Sequence, residues 1–192
     1  GYAEARKMSY TAKPVSAPEL ARRVLQHPRG GVEALMKLVG QSETEWLELK
    51  AATSPEGGNF ENGTNADDYY WHVAKAVIAL ANSIGGVVLL GVADDGNLIG
   101  IEASDPKGRR WSKGAEAFRR EVVMQKMLLP HKGWRTGKHG TFRLIKAALL
   151  ERLVALAEIP CGEQSVLAIF VDPAPADYGF IEVEASHGAS PV

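Results

Sequence analysis

Ala79-Leu80-Ala81-Asn82-Ser83-Ile84-Gly85-Gly86-Val87-Val88-Leu89-Leu90-Gly91-Val92-Ala93-Asp94-Asp95-Gly96-Asn97-Leu98-Ile99-Gly100 is the stretch whose reading decides the fold. Its first part ends a helix. Tyr70, Val73, Val77, Leu80, Ala81 and Ile84 fall at offsets 0, 3, 7, 10, 11 and 14, an amphipathic helical period. Asp67 and Asp68 suit the positive N-terminal end of that helix, and Gly85 suits the left-handed position that closes one. The run Val87 to Val92 is continuously apolar and rich in β-branched residues, which predicts a central strand covered on both faces. Asp94-Asp95-Gly96-Asn97 is turn chemistry, so Leu98 to Ile101 is expected to return as a hairpin partner. A helix feeding a buried strand and then a hairpin predicts α+β architecture, a mixed β-sheet flanked by helices.

Toward the N-terminus, Trp46 to Lys50 alternates as a strand would, with Leu47 and Leu49 on one face and Trp46, Glu48 and Lys50 on the other. Between this strand and the helix, residues 54–65 hold Pro55, Gly57, Gly58, Gly63 and three Asn, the composition of a surface loop. Further upstream, Ser16-Ala17-Pro18-Glu19 has capping-box spacing with proline in the first turn, predicting a helix that His27-Pro28 stops. Val32 to Val39 predicts a second short helix ended by Gly40. Residues 1–15 are expected to be a loosely ordered arm, and residues 16–192 a single domain whose core motif spans 40–101.

Toward the C-terminus, Ser112 is placed to cap a helix that Pro130 terminates, and His131 to Gly140 reads as a basic loop. A helix from Thr141 through Leu156 is expected, then a second buried strand, Val166 to Val171, and a last strand, Phe180 to Glu184.

Composition removes several classes. The chain has 192 residues, 45% hydrophobic and 23% charged, the profile of a globular domain rather than a disordered, collagenous or coiled-coil one. The longest apolar stretch is interrupted by Asn82, Ser83, Gly85 and Gly86, so no membrane span is expected. Residues Gly1 to Ser9 lack an apolar h-region, so no secretory signal is expected there. The single cysteine, Cys161, excludes an intrachain disulfide and a zinc site of several thiolates, and a reducing, cytoplasmic setting is the expectation.

Net charge is −1, yet its distribution is uneven. Residues 107–146 carry twelve basic side chains against Glu116 and Glu121, a local charge of +10 that leaves −11 on the remainder. The natural counterpart of such a field is a polyanion. Lys107, Arg109, Arg110, Lys113, Arg119, Arg120, Lys132, Arg135, Lys138 and Arg143 are the candidate nucleic-acid contacts, with Trp111 and Trp134 interleaved as candidate stacking surfaces. Solvated helix faces and a basic loop would leave the same composition.

Glu48 and Lys50 share one strand face about 7 Å apart. A carboxylate able to hold a divalent cation beside an ammonium able to meet developing phosphoryl charge is the E-x-K element of many metal-dependent nucleases. A salt bridge on an exposed strand is the alternative. Asp94 follows the central strand at its C-terminal end, where α/β sheets place ligand sites, although it also suits a turn. Glu43 lies five residues before Glu48, an odd offset that puts it on the opposite face unless the chain turns or bulges around 43–45. No Walker motif is present, and no histidine is paired with Asp and Ser or with Cys161 as a nucleophilic constellation.

Taken jointly, Glu43-x-x-x-x-Glu48-Leu-Lys50 and the stretch Ala79 to Gly100 resemble the Schlafen AlbA-type domain, with its E-x4-E-x-K element, A-x-x-N-x-x-G-G helix end and G-V-x-D turn. Leu128-Leu129-Pro130 and Val166 to Pro173 resemble later parts of that domain more loosely. The resemblance implies a role in nucleic-acid transactions, with RNA favoured over DNA. It also implies the chemistry of Schlafen-type endoribonucleases, which cleave tRNA and rRNA with a divalent metal, Mg or Mn. By motif the acidic centre falls on Glu43, Glu48 and Asp94 as metal ligands, with Lys50 beside them in a catalytic role. Two departures stand out: residues 132–157 are longer than the family's usual connection, and its Arg-Val-Gly-Ser-like final strand is absent after Glu184. Ribonucleases of this type usually pair two such modules, so a homodimer would be needed to clamp an RNA. The alternative is a non-catalytic DNA-binding or transcriptional-regulator module. A third reading, an ATPase-like nucleotide binder, has the glycine-rich turns without the phosphate loop.

Overall fold

A computed structural model describes residues 15–40, 42–51, 66–101, 134–135, 141–144 and 147–185. Two helices come first, α1 (Ala17–Leu25) and α2 (Val32–Val39). Next are β1 (Leu47–Lys50), α3 (Ala66–Ala81) and β2 (Gly86–Leu90). The remaining elements are β3 (Trp134–Arg135), β4 (Thr141–Leu144), α4 (Ala147–Leu153), β5 (Val154–Cys161), β6 (Gln164–Val171), a 3-10 turn (Ala176–Tyr178) and β7 (Val183–Ala185). The main sheet has the order β1-β2-β6-β5. β1 and β2 are parallel and joined across α3, whereas β2 with β6 and β5 with β6 are antiparallel. A smaller antiparallel sheet has the order β3-β4-β7. The fold is α+β with a mixed, open sheet in a single domain, as expected.

The main sheet separates two apolar layers. On one side Leu47, Leu49, Val87, Leu89, Ala168 and Phe170 pack with Ala21, Leu25, Leu35 and Met36 of α1 and α2. On the other, Val88, Leu90, Leu167, Ile169 and Val171 pack with Val73, Val77, Leu80 and Ala81 of α3 and with Leu150 of α4. β2 is buried at every position, because a central strand under helices on both faces has no solvent side. Each fully buried Leu, Ile or Phe in these layers contributes about 1.5–3 kcal/mol, so the two layers dominate the stability of the sheet.

The glycines of the central stretch are needed where chains approach closely. A Cβ on Gly86 would lie 2.1 Å from the Trp46 carbonyl oxygen, and one on Gly85, whose φ is +76, would lie 2.6 Å from the Val171 carbonyl oxygen. Asn82, just past the end of α3, makes a contact that local sequence does not announce. Its Nδ2 donates to the Ile181 carbonyl and its Oδ1 accepts from the Ile181 N–H, both at 2.8 Å, which fastens a loop 99 residues away onto the helix end.

Several expectations change. Thr141 to Leu156 is not one helix: Thr141–Leu144 is strand β4, α4 is short, and the chain enters β5 at Val154. Leu, Ala and Arg favour a helix there, but the β5–β6 register runs through all eight positions of β5, and tertiary pairing overrides propensity. Pro160 is tolerated because β5 is an edge strand. Within the expected basic loop, Trp134–Arg135 is strand, paired with Phe142 and Thr141. The last strand begins at Val183, not Phe180, which is 68% exposed. Ile84 lies beyond the end of α3 and is half exposed, so the helical period stops at Ala81. Leu98 returns only as an isolated bridge to Val92. Ser16 precedes α1 but makes no side-chain cap, and the Glu19 carboxylate that would complete a capping box accepts from Arg23 instead. The arm up to residue 14, the loop 54–65 and the helix expected after Ser112 lie outside the described residues.

Candidate functional site

β1 is an edge strand, so Leu47 and Leu49 turn their backbone N–H and C=O groups away from β2, whose partners are Trp46, Glu48 and Lys50. Unpaired edge groups invite strand addition, and here residues of the same segment cover them. A tight turn brings Thr44 opposite Leu47: the Thr44 N–H donates to the Leu47 carbonyl at 3.0 Å, and the Leu47 N–H donates to Thr44 Oγ1 at 3.1 Å. The Leu49 N–H donates to Glu43 Oε1 at 3.0 Å, and the Leu49 carbonyl accepts from Lys50 Nζ at 3.0 Å.

This turn resolves the parity conflict at Glu43. An unbroken strand would send Glu43 to the far face, whereas the reversal at Thr44–Leu47 lays it alongside Leu49. The same turn moves Trp46 off the Glu48 face, and it packs with the Leu47 and Leu49 layer instead. Sequence reasoning missed Thr44, although a threonine just before a strand is a recognisable turn former.

Glu48 and Lys50 lie in register with Val88 and Leu90, on the α3 side of the sheet edge. Lys50 Nζ is 2.5 Å from Glu48 Oε1 and 3.7 Å from Glu43 Oε1. The side chains of Lys50, Glu48 and Glu43 are 23%, 31% and 41% exposed, so the ammonium sits partly buried between two carboxylates, with partial screening by water. The cluster carries a net charge of −1, and one cation position is shared by both acids. A divalent metal at that position would find two carboxylates, with the Lys50 ammonium already between them.

Asp94 stands apart. The Gly91 N–H donates to the Lys50 carbonyl, which extends the β1–β2 ladder by one rung, and Asp94 lies three residues farther on, about 10 Å in an extended chain. It is exposed in a turn closed by hydrogen bonds from the Ala93 N–H to the Asn97 carbonyl and from the Gly96 N–H to the Ala93 carbonyl. Thus Asp94 is at the same end of the sheet as Lys50 but makes no hydrogen bond or ion pair to Glu43, Glu48 or Lys50 among the described residues. Among those residues no three His, Cys, Asp or Glu side chains gather as a metal-holding group.

Of the basic candidates, Arg135 and Arg143 are on described backbone. Arg135 is paired with Thr141 and Arg143 with Glu184, so positions 135, 141, 143 and 184 share one face of the small sheet. Lys107, Arg109, Arg110, Lys113, Arg119, Arg120, Lys132 and Lys138, with Trp111, lie outside the described residues. Among the described residues no helix is long and apolar enough to cross a membrane.

No curated protein matches the chain. Among solved structures, the NMR structure of the N-terminal domain of a RecG-related protein from Nitrosomonas europaea is similar, with 17% identity, a TM-score of 0.40 and 84% of each chain covered. The DIP2311 protein of Corynebacterium diphtheriae matches at 18% identity and a TM-score of 0.39, covering 78% of this chain and 25% of that one. The family model described as Schlafen, AlbA_2 matches residues 43–187, from the acid that opens the edge turn to a point just past β7. With the glutamates, the lysine, the helix-end asparagine and the paired glycines all inside that match, the chain belongs to the Schlafen AlbA_2 family.

Proposed function

We propose that this domain binds nucleic acid, RNA in preference to DNA, along the basic segment between residues 107 and 146. Family membership supports the class of ligand. The observation that carries the reading is the sharing of one sheet face by positions 135 and 143: a strand pairing holds two basic positions about 8 Å apart inside a segment of charge +10. Binding releases counterions, so affinity falls steeply with salt. The test is fluorescence anisotropy with labelled tRNA and with duplex DNA over a salt series. Replacing Arg135 and Lys138 together by Ala flattens the log–log salt slope by roughly 0.7 for each single-strand phosphate that is no longer neutralised. An unchanged affinity and slope would refute the assignment of this segment.

The finer reading is metal-dependent phosphodiester hydrolysis. Glu43 and Glu48 would hold a divalent cation, Mg or Mn, with Asp94 reaching them once the hairpin tip closes in, and the bound cation would stabilise charge developing on the phosphoryl oxygens. Lys50 would hold a non-bridging oxygen of the scissile phosphate. The Glu48→Ala protein is then expected to bind RNA as the parent does and to lose Mn²⁺-dependent cleavage, since the lost stabilisation belongs to the transition state. A homodimer would present two such segments to one RNA, which size exclusion with and without tRNA tests.

The non-catalytic binding module is favoured by one specific observation, that Lys50 already partners both carboxylates while Asp94 stands apart. Cleavage of tRNA in Mn²⁺ that stops in chelator supports hydrolysis. Binding without cleavage in either condition supports the module.

A further inference from the structure

We infer that β5 is the homodimer interface, pairing antiparallel with β5 of a second copy across a twofold axis at Leu156 and so joining two main sheets into one. The inference rests on the homodimer reading above and gives it a surface, and it requires no nucleic acid.

Parity in the main sheet decides which backbone groups of β5 face outward. The Val87 and Gly91 N–H groups donate to the β1 side, so Gly86, Val88 and Leu90 turn theirs to β6, toward Val171, Ile169 and Leu167. Those three residues stand opposite Val154, Leu156 and Glu158, which therefore direct their N–H and C=O groups away from β6. Pro160, opposite Ser165, presents a carbonyl on that outer edge and no N–H. Glu43, Thr44 and Lys50 cover the outer edge of β1, whereas the outward groups of Val154, Leu156 and Glu158 receive no such cover among the described residues. Val154 and Leu156 are half-buried against the α3 layer and Ala155 is exposed on the other face, so an eight-residue, largely apolar edge is left as a template for another strand.

This edge is complementary to itself in one register. With Leu156 on the axis, Val154 stands opposite the partner's Glu158, every outward N–H of either strand meets a carbonyl, and Pro160 falls beyond the pairing. An axis at Ala157 sets Pro160 against Val154 and loses a donor, and an axis at Glu158 sets two carboxylates against each other. An axis at Ala155 sets Glu158 against Arg152, which the last turn of α4 holds. In the Leu156 register the exposed Glu158 is diagonal to the partner's Arg152, within reach of a long side chain, and neither residue makes an ion pair within its own chain among the described residues. The pairing is isologous and occupies the open edge of both copies, so assembly closes at a dimer.

The test is sedimentation velocity of the full chain, without nucleic acid, from micromolar to millimolar concentration, and the mass of two chains is expected. Glu158→Pro removes one outward donor from each copy and leaves the β5–β6 ladder intact, because Glu158 is exposed and its N–H faces away from β6. The dimer dissociation constant is expected to rise about thirtyfold, while Glu158→Gln leaves it within about a factor of two. Register is read by oxidation in a Cys161→Ser background. Leu156→Cys is expected to give a disulfide-linked dimer, since Cα atoms opposite each other are about 5.5 Å apart, and Glu158→Cys to stay unlinked, since its two copies are about 13 Å apart along the strands. Circular dichroism checks the fold of each variant. Where Glu158→Pro does not fold, Leu156→Lys takes its place, setting two ammonium groups against each other on the axis. A dimer unaffected by these substitutions, or linked through Glu158→Cys and not through Leu156→Cys, overturns this pairing and leaves the homodimer reading standing. A single-chain mass at every concentration overturns both, and slow amide exchange at Leu156 and Glu158 in that monomer would assign the edge to a segment of this same chain.

Discussion

Replacing Asn82 by Ala is expected to destabilise the fold out of proportion to the size of the change. The side chain lies at the end of α3 and satisfies both backbone groups of Ile181, donating to its carbonyl and accepting from its N–H, each at 2.8 Å. Ile181 is 2% exposed, so neither group finds water without local opening. An abandoned buried donor or acceptor costs about 1–3 kcal/mol, and two of them would cost up to about 6 kcal/mol. Asn82 itself is partly exposed, so water entering the space of the lost amide recovers part of this, and a net of about 3 kcal/mol is expected. For a chain of this length that corresponds to a drop in Tm of roughly 6–12 °C. The assay is a thermal melt by circular dichroism, with a urea titration to show that the m-value is unchanged and the comparison is between like states. Asn97→Ala is the control, because among the described residues its side chain bonds only Asp95, in an exposed turn, and its loss falls within about 0.5 kcal/mol. An Asn82→Ala protein melting within about 1 °C of the parent would refute the reasoning.

Gly86→Ala is expected to prevent folding or to cost several kcal/mol, because its Cβ would sit 2.1 Å from the Trp46 carbonyl oxygen in the β1–β2 ladder, while Gly40→Ala, in open space at φ +79, costs about 1 kcal/mol by backbone strain alone. Comparing soluble yields and melts of the two separates close approach from dihedral strain. Glu43→Ala leaves the Leu49 N–H without its acceptor and costs about 1–2 kcal/mol, whereas Glu43→Gln retains an amide oxygen and recovers most of it. Equal melts for those two variants would show that the edge hydrogen bond carries no weight. Leu150→Ala, at 0% exposure beneath the sheet, costs about 2–5 kcal/mol, read from the urea midpoint.

Residues that make the family motif conspicuous turn out to act largely through architecture. Gly85 and Gly86 permit the close approach of β2 to the Trp46 carbonyl and to the end of β6, and Asn82 fastens the chain before β7. Glu43 and Lys50 do double service: they meet the outer backbone groups of Leu49 in β1 and, with Glu48, set two carboxylates around one cation. Sheet edges left open invite other strands, and a carboxylate on a backbone N–H is one way to occupy them.

The helix α3, the buried strand β2, the turn at Asp94–Asn97 and the alternation of Leu47 and Leu49 were legible in the sequence, because each depends on periodicity or turn chemistry within a few residues. The charge segregation over residues 107–146 was legible for the same reason, since charge is a property of composition. What the tertiary structure alone decided involves partners distant in the chain or a reversal that periodicity does not encode. Strand β5, with a local sequence that favours a helix, is extended because β6 offers it a full ladder. The partner of Asn82 lies 99 residues away. Glu43 faces Lys50 only because a four-residue turn at Thr44–Leu47 reverses the chain, and Asp94, in the exposed turn that follows β2, makes no hydrogen bond or ion pair to either glutamate among the described residues. Local propensities are worth tenths of a kcal/mol per residue, whereas a completed ladder or a buried backbone pair is worth several, so the distant contact wins wherever the two disagree.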